Sequence, residues 1–219
     1  MTSMSAHDLV IRNASLVDGT GAPARMADVA VSDGVITEVG PRLAGTGSRE
    51  IDADGLTVTP GFVDIHTHFD GQATWDPILA PSSIHGVTSV VMGNCGVGFA
   101  PARPTPDQHA WLIGMLEGVE DIPGTALAEG LAWDWETFPD YMNALDRREY
   151  AIDVATQVAH APLRAYVMGE RGADPLEAPT IDELARMALM VREGMKAGAL
   201  GFTTSRTYVH RTKAGAPLG

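Results

Sequence analysis

Short apolar runs alternate with polar residues and turn dipeptides in the first quarter of the chain. The apolar runs are Leu9-Val10-Ile11, Val29-Ala30-Val31 and Val35-Ile36-Thr37, and the turns are Asp18-Gly19, Asp33-Gly34 and Asp54-Gly55. Period-two runs separated by Asp-Gly turns are typical of short β-strands joined by hairpins. Residues 1–58 are therefore predicted to form a small β module.

A different pattern begins at Pro60-Gly61. The stretch "FVDIHTHF" is almost continuously apolar up to its histidines, which is typical of a parallel strand buried on both faces. Similar runs follow at 88–92, 152–158 and 199–205. These four runs are predicted to be the strands of a parallel sheet in the remainder of the chain, residues 59–219.

The clearest helix signal lies before the fourth strand. Thr180 and Glu183 have the spacing of a capping box, and Gly198 marks the end of the helix. Between them, apolar residues recur at helical spacing at Leu184, Met187, Ala188 and Val191. Strands alternating with helices predict an α/β fold with right-handed crossovers.

Residues 100–150 fit neither pattern. They are rich in proline, glycine and tryptophan and too long for one crossover, so they are predicted to be an inserted segment of helices and loops over the mouth of the sheet. The aromatic residues of "LAWDWETF" either pack this segment onto the sheet, which we favour, or form an apolar wall of a substrate pocket.

Composition narrows the functional classes. The chain has 219 residues, of which 45% are hydrophobic and 20% charged, with a net charge of −13. A basic nucleic-acid footprint is missing, an anionic membrane surface would repel the chain, and no apolar run approaches the roughly 20 residues of a membrane span. The start lacks a signal-peptide pattern. A single cysteine rules out an internal disulfide and suits the cytoplasm.

Two histidines end the first predicted sheet strand. Alternate residues of a strand face the same side, so His66 and His68 are expected to project together where the apolar run stops. Catalytic groups of α/β barrels lie at the C-terminal ends of strands, and imidazole nitrogens are common zinc ligands. The pair is therefore interpreted as a metal site, the alternative being two histidines with ordinary hydrogen bonds.

The single cysteine, Cys95, follows the second strand, about one βα unit after His68. Most lone cysteines are small buried apolar residues. Here the sequence "GNCG" indicates a tight loop with close backbone approach, and a thiolate is a good zinc ligand. Cys95 is therefore predicted to be a third ligand on the same rim as the histidines.

Four further residues are candidates for ordering a ligand or lining a substrate pocket: Asp70, Asn94, His160 and Arg206. Asp70 either caps the next turn or orders a ligand histidine. His160 ends the third strand. Arg164 and Arg206 lie near strand ends, where a surface salt bridge is the favoured role and contact with a substrate carboxylate the alternative.

Four stretches of the sequence resemble one known superfamily. They are "TPGFVDIHTHFDGQ", "GVTSVVMGNCGVGFAP", "MLEGVEDIPGTALAEGLAWDWETFPDYMNAL" and "GALGFTTSRTYVHRTKAGAP". Together they resemble the amidohydrolase superfamily, and more closely its N-acyl-D-amino-acid deacylase, or D-aminoacylase, branch. The His-x-His motif is shared by the whole superfamily, whereas the Asn94-Cys95-Gly96 loop and the "EDIPG" and "WDW" elements are more specific to the branch.

The resemblance, which extends from Leu9 onward, implies a fold and a cofactor. The fold is a (β/α)8 TIM barrel with a small β-sandwich built from both chain ends, so residues 1–58 would be the N-terminal part of the sandwich. The cofactor is one or two zinc ions held by His66, His68 and Cys95. In this branch the cysteine replaces the carboxylated lysine that bridges two metals elsewhere in the superfamily.

The resemblance also implies an activity, the hydrolysis of a small N-acyl-D-amino acid to a D-amino acid and a carboxylate. Two further histidine ligands and the catalytic aspartate of the branch lie on later strands, and a full barrel takes about 250 residues. We therefore expect a partial barrel of four βα units, with the catalytic aspartate beyond Gly219, and a chain that is inactive alone.

Two alternatives stay open. The first is a cyclic-amide hydrolase similar to hydantoinases or dihydroorotases, which is disfavoured because those enzymes use a bridging lysine and no strand-end lysine is visible. The second is a non-catalytic half barrel that needs a partner chain. Open edges of a parallel sheet invite association, so self-association through them is a further expectation.

Overall fold

The chain forms two units, Met1–Gly61 and Phe62–Gly219, in a computed structural model that describes residues 6–120, 122–174, 176–205 and 211. The first unit contains β1 His7–Leu16, β2 Arg25–Ser32, β3 Val35–Gly40, β4 Gly47–Asp52 and β5 Thr57–Val58. The sheet order is β3-β2-β1-β4, and β5 also pairs with β1. The pairs β1–β2 and β2–β3 are the antiparallel hairpins that the turns predict, whereas β4 and β5 run parallel to β1.

A charge pair between the half-buried Arg12 and the buried Asp28 stabilises this first sheet. The guanidinium of Arg12 donates to Asp28 at 3.2 Å and to the carbonyl of Leu43 at 2.8 Å. Burial alone raises the pKa of Asp28, but the N–H groups of Leu43 and Asn13, together with Arg12, outweigh it and lower that pKa. The loop at Leu43 is thereby fixed against β1 and β2.

The second unit alternates strands and helices. Its strands are β6 Phe62–Asp64, β7 Val87–Met92, β8 Asp153–Thr156, β9 Val158–Ala159 and β10 Phe202–Thr203. Its helices are α1 Pro106–Glu120, α2 Gly124–Gly130, α3 Phe138–Asp146, α4 His160–Met168 and α5 Ile181–Lys196. The pairs β6–β7, β7–β8 and β9–β10 are all parallel, so the fold is mixed α/β. In the part of the chain that the structure describes, no helix is long and apolar enough to span a membrane.

The first parallel strand is more exposed than its sequence predicts. Phe62, Val63 and Ile65 have 63%, 61% and 72% of their surface accessible. β6 lies at the edge of the three-stranded sheet β6-β7-β8, paired on one side with β7. An apolar strand sequence is buried only where other elements cover both of its faces and edges, so the expectation of full burial was wrong for the chain as it stands.

Helix α5 also leaves apolar residues exposed. Its capping box is present, with Thr180 accepting from the N–H of Glu183 and the Glu183 carboxylate accepting from the N–H of Thr180. Met187 is buried, whereas Leu184 is about half exposed. The helix therefore forms where the sequence predicts it, but only part of its apolar face is covered.

Residues 100–150 form α1, α2 and α3 and contribute a large part of the core of the second unit. The indole N–H of Trp135 donates to the carbonyl of Phe99 at 2.8 Å, and its ring meets Tyr141 edge to face at 5.1 Å. Phe138 is buried beside them, and Trp133 packs against this core. The aromatic residues of "LAWDWETF" thus pack the segment onto the sheet, as favoured from the sequence.

Two helix glycines test this packing. A Cβ added to Gly194 of α5 would lie 2.6 Å from Cγ2 of Val158 and 3.1 Å from Cδ1 of Phe138, whereas one added to Gly114 of α1 would meet nothing within 4 Å. Gly114→Ala should raise the free energy of unfolding by up to about 1 kcal/mol, and Gly194→Ala should lower it by about 1–3 kcal/mol. Urea denaturation measures both, and equal stabilisation by the two changes would contradict the packing of α5 on β9.

Candidate metal centre

The two histidines, His66 and His68, lie in the segment that directly follows β6. Between them, Thr67 is buried and donates twice to the carbonyl of Val91, from its N–H at 3.0 Å and from its hydroxyl at 2.9 Å. This anchor keeps the segment aligned with the end of β7. His66 is exposed and His68 half-buried, and their ring centroids lie 5.4 Å apart.

Cys95 follows β7 in a short 3₁₀ turn, Asn94–Gly96. Its φ is 55°, in the left-handed region, and Gly93 and Gly96 on either side have φ of 74° and 75°. The turn brings the sulfur of Cys95 to 3.0 Å from Nε2 of His66. The loop thus places the thiol beside the histidines, as the spacing along the sequence predicts.

The three side chains fit a zinc ion. One ligand atom from each of His66, His68 and Cys95 lies within 4.8 Å of the others. Zinc binds nitrogen and sulfur at about 2.0–2.3 Å, so two atoms on one ion lie no more than about 4.5 Å apart, which is within reach of small side-chain rotations. Two imidazoles and one thiolate are a donor set that zinc favours. Within the described ranges, this is the one such group of three residues.

Asn94 is the first residue of this turn, and its side chain is buried, with 7% of the residue's surface accessible. Its amide nitrogen donates to the carbonyl of Val91 at 2.8 Å and lies 3.4 Å from the carbonyl of Thr67. Its oxygen accepts from Nε2 of Gln157 at 3.1 Å. Asn94 therefore connects the loops that follow three neighbouring strands.

Asp70 is buried, and its backbone carbonyl accepts a 2.7 Å hydrogen bond from the hydroxyl of Tyr141 in α3. Burial, followed by the nearby Asp70 carboxylate, raises the pKa of Tyr141 well above its ordinary value. The next turn, Gln72–Thr74, has Gly71 at its N-cap, so Asp70 does not occupy the capping position. The inserted segment thus holds the chain just after His68.

His160 is the first residue of α4 and directly follows β9. Its Nδ1 lies 3.3 Å from the hydroxyl of Thr204, and its ring meets Phe202 edge to face at 6.0 Å. It therefore lies beside the loop after β10. Arg206 falls outside the described residues.

Arg164 differs from its sequence interpretation. Its guanidinium is buried and donates to the backbone carbonyls of Gly172, Asp174 and Glu177. The favoured role of a surface salt bridge was therefore wrong. A guanidinium has five N–H donors, and here they satisfy the carbonyls of the loop that follows α4.

Thr67 and Gln157 both support the site, and neither was predicted from the sequence. Thr67 stands between the two histidines, and Gln157 is the single residue between β8 and β9. Gln157 is a polar residue inside a predicted strand, a signal that could have marked it, because buried polar side chains need hydrogen-bond partners. Its partner could not be read from the sequence.

Comparisons with known proteins agree with this geometry. The chain is 37% identical over 202 residues to N-acyl-D-aspartate deacylase from Alcaligenes xylosoxydans xylosoxydans, covering 92% of this chain and 37% of the relative. It is similar to the structure of N-acyl-D-glutamate deacylase from Bordetella bronchiseptica complexed with zinc and a phosphonate inhibitor, with a TM-score of 0.75 and 36% identity, covering 96% of this chain and 40% of the other.

A third match is a D-aminoacylase structure from work on the functional role of its binuclear metal centre. Its TM-score is 0.74 at 32% identity, over 95% of this chain and 41% of that one. The chain thus spans about two fifths of the length of these relatives.

The family model described as the Amidohydrolase family matches residues 49–218. This range covers most of the chain and includes His66, His68 and Cys95. The chain belongs to the Amidohydrolase family.

Proposed function

We propose that this chain carries the metal-binding part of a zinc-dependent N-acyl-D-amino-acid deacylase. The convergence of His66, His68 and Cys95 on one point carries the proposal. Relatives at 36–37% identity are deacylases of N-acyl-D-aspartate and N-acyl-D-glutamate, and the latter was solved with zinc. The substrate class that these names support is a small N-acyl-D-amino acid.

The proposed architecture is the first four βα units of a TIM barrel. The pairs β6–β7, β7–β8 and β9–β10 are parallel and follow the order of the chain. Only one residue separates β8 from β9, so the two can be taken as one barrel strand. All three proposed ligands lie just after strand ends, where barrel enzymes carry their catalytic groups. The unit Met1–Gly61 is proposed to be part of a small β-sandwich.

In this proposal the chain holds the ion and shapes one side of the pocket. Zinc, when bound, lowers the pKa of a water molecule and polarises the scissile carbonyl. Cys95 would bind as thiolate and the histidines as neutral imidazoles, so binding releases protons. His160 is proposed to line the pocket, and Asp70 to fix the chain after His68. The resemblance assigns proton transfer to the leaving amine to an aspartate on the last strand of the barrel.

Zinc binding by the purified chain is the first prediction from this proposal. After chelator treatment and addition of zinc, the chain should retain at least one ion, and zinc should slow the reaction of its single thiol with a disulfide reagent. Cys95→Ser and His68→Ala should weaken binding more than about tenfold, because each removes a ligand. His85→Ala, which changes an exposed histidine outside the group, is the matched control.

Metal content and affinity can be measured by elemental analysis and competition with a chromophoric chelator. Binding that survives both ligand substitutions, or that His85→Ala abolishes equally, would contradict the assignment of the ligands.

The second prediction is that the zinc-loaded chain alone is inactive. N-acetyl-D-aspartate, N-acetyl-D-glutamate and N-acetyl-D-methionine should show no amine release above the zinc-free blank, because the proposed aspartate and later ligands are missing. Turnover of these substrates that disappears in Cys95→Ser would prove this prediction wrong. Turnover of hydantoin instead would favour the cyclic-amide hydrolase. The self-association and cytoplasmic location expected from the sequence stay predictions.

A further inference from the structure

At Cys95 the turn has a backbone conformation that a non-glycine residue does not favour. A non-glycine residue at φ 55° is strained, and Gly93 and Gly96 beside it also have positive φ. Such backbone persists only where the surrounding structure holds it. The contacts around the turn therefore decide where the sulfur of Cys95 lies.

Asn94 makes the contact that reaches both ligand-bearing segments. It directly precedes Cys95, and its amide nitrogen faces the carbonyls of Val91 at 2.8 Å and Thr67 at 3.4 Å. Thr67 in turn lies between the two histidines. One buried amide thus connects the thiol-bearing turn with the histidine-bearing segment.

Gln157 fixes the orientation of that amide from the other side. Because both carbonyls are acceptors, they take the NH₂ end of Asn94 and leave its oxygen facing Gln157, whose Nε2 donates to it at 3.1 Å. The backbone N–H of Gln157 also donates to the carbonyl of Met92 at 3.1 Å. A Cβ on Gly93 would lie 2.2 Å from the carbonyl oxygen of Gln157, so the turn sits directly against this residue.

We propose that Asn94 and Gln157 are positioning residues of the metal centre, and that their paired amides set the sulfur of Cys95 against His66 and His68 before the metal binds. This inference rests on the proposed function, since it concerns the same three ligands. Neither residue binds the metal itself. Each acts through the backbone of the segments that do, in the way that partners of metal ligands orient those ligands elsewhere.

The test compares metal affinity with stability in five proteins: wild type, Asn94→Ala, Gln157→Met, the double variant of these two changes, and Gln108→Met. Methionine keeps the length of glutamine and removes its hydrogen bonds. Gln108 is the matched control. It lies in α1, outside the segments of the metal centre, and its side chain likewise makes a hydrogen bond, which it accepts from the N–H of Arg103. Zinc affinity is measured by chelator competition, and thermal midpoints are measured on the metal-free proteins.

Asn94→Ala should bind zinc about 10–100-fold more weakly, and Gln157→Met up to about tenfold more weakly. Gln108→Met should bind as wild type does. The double variant should bind zinc no more weakly than Asn94→Ala, because the two changes break the same connection, the one between Gln157 and Asn94. In the cobalt-substituted proteins, the thiolate-to-cobalt charge-transfer band should weaken in Asn94→Ala and Gln157→Met and stay unchanged in Gln108→Met.

The outcomes separate this inference from the proposal beneath it. A wild-type chain that binds no zinc contradicts the proposed function itself. If wild type binds zinc, and both variants bind it equally well while melting at lower temperature, the amide pair only stabilises the fold and the positioning role is overturned. If Asn94→Ala does not fold, Gln157→Met decides, since it leaves Asn94 in place.

Discussion

The carbonyl of Val91 is the acceptor on which the geometry of the candidate metal centre depends. It accepts the N–H and the hydroxyl of Thr67 at 3.0 and 2.9 Å and the amide of Asn94 at 2.8 Å. Three donors share one oxygen at the end of β7, and each belongs to a segment that bears a proposed ligand. A carbonyl that accepts from several donors restricts all of them together, so the relative placement of thiol and imidazoles is a property of this junction more than of any single loop.

The hydrogen bonds of Asn94 can offset the backbone strain at Cys95. A non-glycine residue in a sparsely populated backbone region costs on the order of 1–3 kcal/mol, and a typical hydrogen bond returns about 1 kcal/mol net. The two main bonds of Asn94 are thus of the right size to offset a single strained residue. Leaving the buried amide without its partners would cost more than the bonds contribute, which makes the turn sensitive to changes beneath it.

Local sequence patterns placed the three proposed ligands together and marked Asn94 as a candidate, but they did not mark Thr67 or Gln157. The period of two placed His66 and His68 together, and the spacing of one βα unit placed Cys95 beside them, because both follow from strand geometry. The bond from Gln157 to Asn94 joins segments 63 residues apart and depends on the register of β7 with β8, which no local pattern encodes. The exposure of Phe62 likewise depends on which elements flank β6 and not on its own apolar sequence.

In the proposed deacylase, metal binding and proton transfer draw on different segments of the chain. The three ligands and their supporting hydrogen bonds come from segments after β6, β7 and β8, all within the second unit, and the inserted helices reach the same region through Tyr141 and the carbonyl of Asp70. An ion held by such a local set needs no residue from later in a barrel to stay in place. Proton transfer to a leaving amine needs a group across the pocket, at hydrogen-bond distance from the substrate. In the proposed deacylase, the strand ends of this chain meet the first requirement, and the second falls to the aspartate that the resemblance places on the last strand of the barrel.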